Sequence, residues 1–279
     1  MPDPGAGRTR LAVLGSPIEH SKSPLIHRAA YALLGLPWSY ERAEVTGAEL
    51  ADYLGSRDAS WRGLSLTMPL KREVLPLLTE RDAVVDAVGA ANTVLLDDHG
   101  IRGFNTDVAG VERSFRDAGV PALDSVLVLG GGATAASVIA GVARLGATLV
   151  TVSARTPARA EPLVALGARL GAEVRVRPWG DFGGLSPDAV VSTVPGGTND
   201  LEFAPALRAE SVLFDVAYDP WPSAAARQWT DVGGRLIPGI DLLVNQAVGQ
   251  IRVFVSGDPE TALPREDEVV AAMRAALAG

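Results

Sequence analysis

Ser125-Val126-Leu127-Val128-Leu129-Gly130-Gly131-Gly132-Ala133-Thr134-Ala135 is the stretch whose reading decides the fold. Residues 125–129 have the composition of a buried strand, three glycines follow without a break, and an alanine-rich stretch through Leu145 reads as a helix. Residues 148–153 read as the next strand, so the segment is a βαβ unit. Outward from it, 189–193, 212–216 and 235–237 read as later strands and 242–255 as a helix packing away from them. Upstream, 11–14, 40–45 and 63–66 read as strands. Ser23-Pro24 supplies a helix cap and a first-turn proline, and Leu25, Ile26, Ala29, Ala30, Leu33 and Leu34 follow at helical spacing until Gly35 and Pro37. Residues 70–78 read as a helix, 91–96 and 101–104 as a hairpin turning at Asp97-Asp98-His99-Gly100, and 107–118 as a helix ended by Gly119-Val120-Pro121. Strands alternating with helices for most of the length predict an α/β fold with a mainly parallel sheet.

Gly130-x-Gly132-x-x-Ala135 between a strand and a helix carries chemistry of its own. Glycine there permits a tight turn and close backbone approach to a pyrophosphate, and the helix N-terminus offers N–H donors to its charge. An NAD site of this type places Asp or Glu about 20 residues further on, at the end of the second strand, for the ribose 2′-hydroxyl. No acid stands there: the chain reads Ser153-Ala154-Arg155-Thr156-Pro157-Ala158-Arg159. Two guanidiniums flank the position, which favours the 2′-phosphate of NADP(H), the alternative being that Arg155 and Arg159 form a solvated helix edge.

The bulk numbers set limits. A chain of 279 residues fits one large domain or two ordinary ones, and two is the expectation. Hydrophobic residues at 47% fill a real core, and a net charge of −8 argues against a broad nucleic-acid footprint. Without cysteine there is no disulfide, thiolate metal site or thiol catalysis, and His20, His27 and His99 form no metal-ligand spacing, so no metal is expected. The opening ten residues are polar, and no uninterrupted apolar run is long enough for a leader or a membrane span. A cytoplasmic protein is expected, with a small-molecule partner and neither nucleic acid nor membrane.

Four polar segments sit at strand ends or helix starts: Ser21-Lys22-Ser23-Pro24, Leu66-Thr67-Met68-Pro69-Leu70-Lys71, Gly89-Ala90-Ala91-Asn92-Thr93 and Asn105-Thr106-Asp107. In open α/β sheets ligands bind outside the carboxyl ends of the strands, where such residues can converge on one molecule. Singly, each has an ordinary structural alternative: Ser23 as a helix cap, Lys71 as a solvated lysine, Asn92 as a turn residue, Asp107 as an N-cap. Lys71 is the odd one, because a cation in a helix's first turn opposes the macrodipole.

Taken together, and in this order, the segments resemble the shikimate dehydrogenase family, whose signatures include G-x-P-x-x-H-S-x-S-P, T-x-P-x-K, G-A-x-N-T and N-T-D. The first is met by Gly15-Ser16-Pro17-Ile18-Glu19-His20-Ser21-Lys22-Ser23-Pro24. The likeness continues through the glycine loop, Arg155-Thr156, Asp215-Val216-Ala217-Tyr218, Gly239 and Leu243-Val244-Asn245-Gln246-Ala247, and so spans nearly the whole chain.

The resemblance implies reversible reduction of 3-dehydroshikimate to shikimate by NADPH on the route to chorismate and aromatic amino acids. Lys71 would act on the reacting oxygen with Asp107 orienting it. Ser21 and Ser23 would hold the ring carboxylate with Tyr218 nearby, and Thr67, Asn92 and Gln246 would take ring hydroxyls. The cofactor would be held by Gly130, Gly131, Gly132, Ala133, Thr134, Ser153, Arg155, Thr156, Arg159, Val216 and Gly239. It implies a shikimate-binding domain over 1–106 and 239–279 and a Rossmann-type NADP-binding domain over 107–238. Three positions depart from the family's pattern: Ser65 replaces a frequent asparagine and is expected still to donate a hydrogen bond, Ala133 replaces a glycine, and Ala154 replaces an asparagine. Quinate or aminoshikimate as substrate, or NAD as cofactor, are the neighbouring alternatives. A non-catalytic NADP-binding regulator would be marked by loss of the lysine or the aspartate, and both are present. A monomer or homodimer is expected.

Overall fold

The computed structural model describes residues 7–198 and 200–278. It divides into two compact units: the described chain up to Thr106 with the chain from Gln246 onward, and Asp107–Asn245.

The first unit is built on β1 (Arg10–Gly15), α1 (Ser23–Leu34), β2 (Ser39–Glu44), α2 (Leu50–Gly55), β3 (Trp61–Leu66), α3 (Leu70–Glu73), β4 (Glu80–Arg81), α4 (Ala83–Val88), β5 (Thr93–Asp97) and β6 (Gly100–Phe104). Its sheet has the order β2-β1-β3-β5-β6-β4. The β1–β2, β1–β3 and β4–β6 pairings are parallel, while β5 runs antiparallel to β3 and β6. β1 and β3 are buried almost throughout, as strands covered on both faces must be. Gly63 is required in β3, because a Cβ there would lie 2.5 Å from the Phe254 ring and 2.6 Å from the Val94 carbonyl.

Two local expectations give way. The helix expected over 70–78 is a single turn, α3, followed by a 3-10 turn at Leu75–Leu77, because Pro76 has no N–H to continue the ladder. Ser23 is not a cap: Lys22 holds the N-cap position of α1 without a side-chain hydrogen bond, and Ser23 is the first helical residue.

The second unit opens with α5 (Asp107–Asp117) and continues through β7 (Ser125–Leu129), α6 (Ala133–Arg144), β8 (Leu149–Ala154), α7 (Pro157–Ala160), α8 (Pro162–Leu170), β9 (Glu173–Pro178), β10 (Ala189–Ser192), α9 (Pro205–Glu210), β11 (Val212–Asp215), α10 (Ala224–Thr230) and β12 (Arg235–Pro238). Its strands lie in the order β12-β11-β10-β7-β8-β9 and every pairing is parallel, the doubly wound Rossmann arrangement. The order reverses between β7 and β10, directly above the glycine loop. Leu127, Leu129, Val190 and Leu213 pack with Phe203, Ala226 and Trp229 to form a core on one face of this sheet.

The chain then enters α11 (Gly239–Ser256) and ends in α12 (Glu266–Ala278). α11 starts at Gly239, ahead of the expected 242, and the division between units falls inside it, at 245/246 rather than before 239. Its first two turns stay with the second unit: Gly239 lies against the Val216 and Ala217 carbonyls, and the Asn245 amide donates to Ser114 Oγ at 3.1 Å.

Candidate active site

In the first unit the loops leaving the strands are tied together by backbone hydrogen bonds. Thr67 N–H donates to the Leu14 carbonyl (2.9 Å) and Ser16 N–H to Met68 (3.0 Å). Leu66 N–H donates to Asn92 (2.8 Å), Asn92 N–H to Phe104 (3.1 Å) and Ala91 N–H to Lys71 (2.8 Å). Thr67, Lys71, Asn92 and Thr106 are thereby gathered at one end of the sheet. Asn92 is not a turn residue. It is 1% exposed, its amide donates to Thr106 Oγ1 (2.9 Å) and Gln246 Oε1 (3.3 Å), and its Oδ1 accepts from Thr106 N–H and Thr93 Oγ1, both at 2.9 Å. Gln246 therefore joins the group from α11. Lys71 lies in a helix of four residues, too short for a macrodipole to weigh on its charge.

Ser21 lies in the β1–α1 loop and Ser23 opens α1, both buried. Ser21 Oγ accepts from Ser23 N–H (3.3 Å), and Arg42 Nε holds the Ser21 carbonyl (2.8 Å). Ser16 Oγ donates to Glu44 (2.9 Å), so the end of β2 fixes this loop at two points. Arg42 escaped the sequence reading because its partner is a backbone carbonyl.

In the second unit the glycine loop fits a dinucleotide. Gly130 has φ 105°, a left-handed conformation, and a Cβ on Gly131 would lie 2.8 Å from Ala160 Cβ. Gly132 is the exposed N-cap of α6 with no side-chain cap and open space where a Cβ would stand. Ala133 and Thr134 form the first turn behind it, whose N–H groups have no intrahelical acceptor and suit a phosphate. β8 ends at Ala154, and Arg155 follows, exposed, donating to the Thr198 carbonyl (2.6 Å) with its guanidinium 5.3 Å from the Trp179 ring centre. Thr156 is the N-cap of α7 and Arg159 lies exposed within that helix. Val216 and Gly239 are brought together, since a Cβ on Gly239 would be 2.3 Å from the Val216 oxygen.

Ser153, at the end of β8, is fully buried, and its hydroxyl donates to the Pro178 carbonyl (3.1 Å) and accepts from Gly180 N–H (3.0 Å), so it braces the β8–β9 edge. Tyr218 is half-buried beyond β11, and Asp107 is the first residue of α5, 4% exposed. Lys71 thus belongs to the first unit, and Asp107 and Tyr218 to the second.

Asp215, within the Asp215–Tyr218 motif, has a structural partner: Ser223, the N-cap of α10, donates to its carboxylate at 2.5 Å. Burial raises the Asp215 pKa above the usual carboxylate value, against the hydrogen bonds from Ser223 and Ala217. Sequence reasoning also missed a buried polar group beneath Asn92, made of His27, Tyr31, Tyr40, Ser65 and Gln250. The available signal was the spacing of Gln246 and Gln250, four residues apart on one helix face. Among the described residues no helix is long and apolar enough to cross a membrane, and no group of three His, Asp or Glu side chains is placed to hold a metal ion.

Comparison with known proteins adds the chain's relations. The family model described as the shikimate dehydrogenase substrate binding domain matches residues 13–94. The NADP(+) shikimate dehydrogenase of Methanothrix thermoacetophila is 36% identical, with 95% of this chain and 97% of that protein covered. Among solved structures, Mycobacterium tuberculosis shikimate dehydrogenase superposes with a TM-score of 0.83 at 41% identity, covering 97% of this chain and 99% of that one. The Thermus thermophilus shikimate 5-dehydrogenase, solved in complex with NADP(H) and shikimate, gives 0.81 at 29% identity, covering 96% and 99%. Likeness of this extent, on a chain that carries Lys71, Asp107 and the glycine loop in place, makes it a member of the shikimate dehydrogenase family.

Proposed function

We propose that the chain is an NADP-dependent shikimate dehydrogenase, interconverting 3-dehydroshikimate and shikimate, with Lys71 and Asp107 acting at the reacting carbon–oxygen bond. The observation that carries this reading is the chain-long likeness to NADP(+) shikimate dehydrogenases in a sequence that has both residues within the family's motifs. The nicotinamide supplies the hydride. Lys71 holds its proton at the carbonyl oxygen, stabilises the negative charge that grows there, and delivers the proton in the direction of reduction. In the reverse direction it takes the proton back. Asp107 orients the Lys71 ammonium and accepts from the neighbouring ring hydroxyl. Ser21 and Ser23 donate to the ring carboxylate with Tyr218, and Thr67, Asn92 and Gln246 pair with ring hydroxyls. A pocket built this way rejects an analogue lacking a hydroxyl by about 10⁴–10⁵, because its buried polar groups are left without partners.

On the cofactor side the glycine loop and the first turn of α6 take the pyrophosphate, while Arg155, Arg159 and Thr156 take the 2′-phosphate. The enzyme works in the cytoplasm as a monomer or homodimer, which size measurement in solution checks. A steady-state comparison of shikimate, quinate and aminoshikimate with NADP and NAD tests the assignment: shikimate with NADP gives the highest kcat/KM, and a higher value for another pair overturns it. Lys71→Ala lowers kcat by about 10²–10⁴-fold, the range for acid–base groups, with much less change in NADP affinity. Near-native turnover in that variant removes Lys71 from the mechanism.

A further inference from the structure

Beneath the pocket lies a chain of buried polar side chains that the reaction does not use. His27 of α1 is fully buried, stacked on Tyr40 with ring centres 4.0 Å apart, and placed between Tyr31 Oη (3.0 Å from Nδ1) and Gln250 Oε1 (3.2 Å from Nε2). Gln250 of α11 is 2% exposed, and its Nε2 donates to the Asn92 carbonyl at 3.0 Å. Ser65 Oγ stands 2.9 Å from Gln250 Oε1 and 2.6 Å from Tyr40 Oη.

These contacts fix the protons that face Gln250. The Asn92 carbonyl can only accept, so it must face the Gln250 amide nitrogen, and a flipped amide would set two oxygens against each other. Gln250 Oε1 then faces His27 and Ser65, and both must donate to it. His27 therefore carries a proton on Nε2, and in the neutral ring Nδ1 is bare and accepts from Tyr31. Ser65 spends its one proton on Gln250 and accepts from Tyr40. It has an acceptor left and no donor, contrary to the expectation that it could still donate to a ring.

We propose that His27 is a positioning residue for the substrate pocket: as the Nε2–H tautomer it locks the Gln250 amide, which grips the Asn92 backbone and turns the Ser65 proton away from the ring. The inference rests on the reading of Asn92 and Gln246 as substrate-binding residues. Gln246 and Gln250 lie four residues apart on α11, so one helix face meets Asn92 twice, at its side chain through Gln246 and at its carbonyl through Gln250. The helix is anchored below by Arg62, whose guanidinium donates to the carbonyls of Phe254 and Val255. Burial, opposed only in part by the bond to Gln250, brings the His27 pKa down to about 3, so the single-proton state persists across the working range.

The test pairs kinetics with a direct reading of the tautomer. His27→Leu removes the donor to Gln250, and the shikimate KM rises roughly tenfold, the scale of one lost hydrogen bond, while kcat and the NADP KM stay within about twofold. His27→Gln, which returns an N–H donor, recovers most of that loss. Unchanged shikimate KM in His27→Leu overturns the proposal, and so does a joint rise of both KM values, which marks general loosening. Nitrogen-15 NMR of histidine-labelled wild-type enzyme, with His27 assigned by its absence in His27→Gln, shows a protonated Nε2 and a bare Nδ1. A proton on Nδ1 overturns the proposal even if His27→Leu does not fold. Wild-type protein inactive on shikimate would instead sink the functional reading, leaving the tautomer measurement to decide the hydrogen-bond chain.

Discussion

Arg155 stands where the second strand of a dinucleotide fold usually presents an acid, and its planar guanidinium is already oriented by the Thr198 carbonyl and the Trp179 ring. Preorganisation of that kind reduces the freedom lost when a phosphate binds. Arg155→Ala is expected to raise the NADP KM roughly tenfold, the scale of a charge-assisted hydrogen bond, with the NAD KM within about twofold. An equal rise with both cofactors would show that Arg155 only steadies the loop carrying Thr198. At this scale the sequence is readable where residue type and motif suffice. Lys71 and Asp107 are ordinary as single residues, and the proposal that they act as a pair comes only from the family resemblance carried by the order of the four polar segments. The hydrogen bonds of Ser153 are not legible in the same way: its hydroxyl goes to Pro178 and Gly180, partners 25 and 27 residues away that no local pattern names. Ser65 fails in the same way, because its proton direction is decided by Gln250, 185 residues along the chain.

Elements are legible as far as their hydrophobic period and punctuation are local. The β7–α6–β8 unit follows from composition and three glycines, whereas the helix expected over 70–78 is cut short by Pro76, a break that the spacing of the apolar residues does not show. β9 (Glu173–Pro178) carried a signal in the alternation of Val174 and Val176 among charged residues, but it pairs only with β8 at the sheet edge, where polar residues weaken the pattern. α11 begins at Gly239 because the chain must pass close to the Val216 and Ala217 carbonyls, and only a residue without a side chain fits there. Gly239→Ala would place a methyl group 2.3 Å from the Val216 oxygen. Relief of that clash must move the start of α11 or the end of β11, a change of about 1–3 kcal/mol on the scale of overpacked sites. The variant is expected to melt a few degrees lower and to bind NADP at least several-fold more weakly in a fluorescence titration. Wild-type NADP affinity with a lowered melting temperature would confine Gly239 to packing.

At the scale of the whole molecule the first boundary between units, after Thr106, follows the polar segment that closes the first set of strands, and the second falls within α11, a helix with no break in its sequence to mark it. Stability of the assembled chain should also carry the signature of His27. Its folded pKa of about 3 lies below the ordinary 6.5, so between those values the unfolded chain takes up a proton that the native protein excludes. The stabilisation is therefore complete above about pH 6.5 and declines as pH falls toward 3, by about 1.4 kcal/mol per unit once well below the unfolded value. Asp82 and Asp215 act with the opposite sign: burial raises both pKa values, the native state holds those protons longer, and acid favours it. The His27 contribution is isolated by difference. Chemical denaturation of wild type and His27→Gln near pH 7 and near pH 5 is expected to show a fall in the wild type about 2 kcal/mol larger than in the variant, whose side chain does not titrate. Equal falls in the two proteins would mean that His27 is protonated in the native state at pH 5. A charged ring would donate from both nitrogens, so Tyr31 could no longer donate to Nδ1, and the hydrogen-bond directions assigned around Gln250 would have to be redrawn.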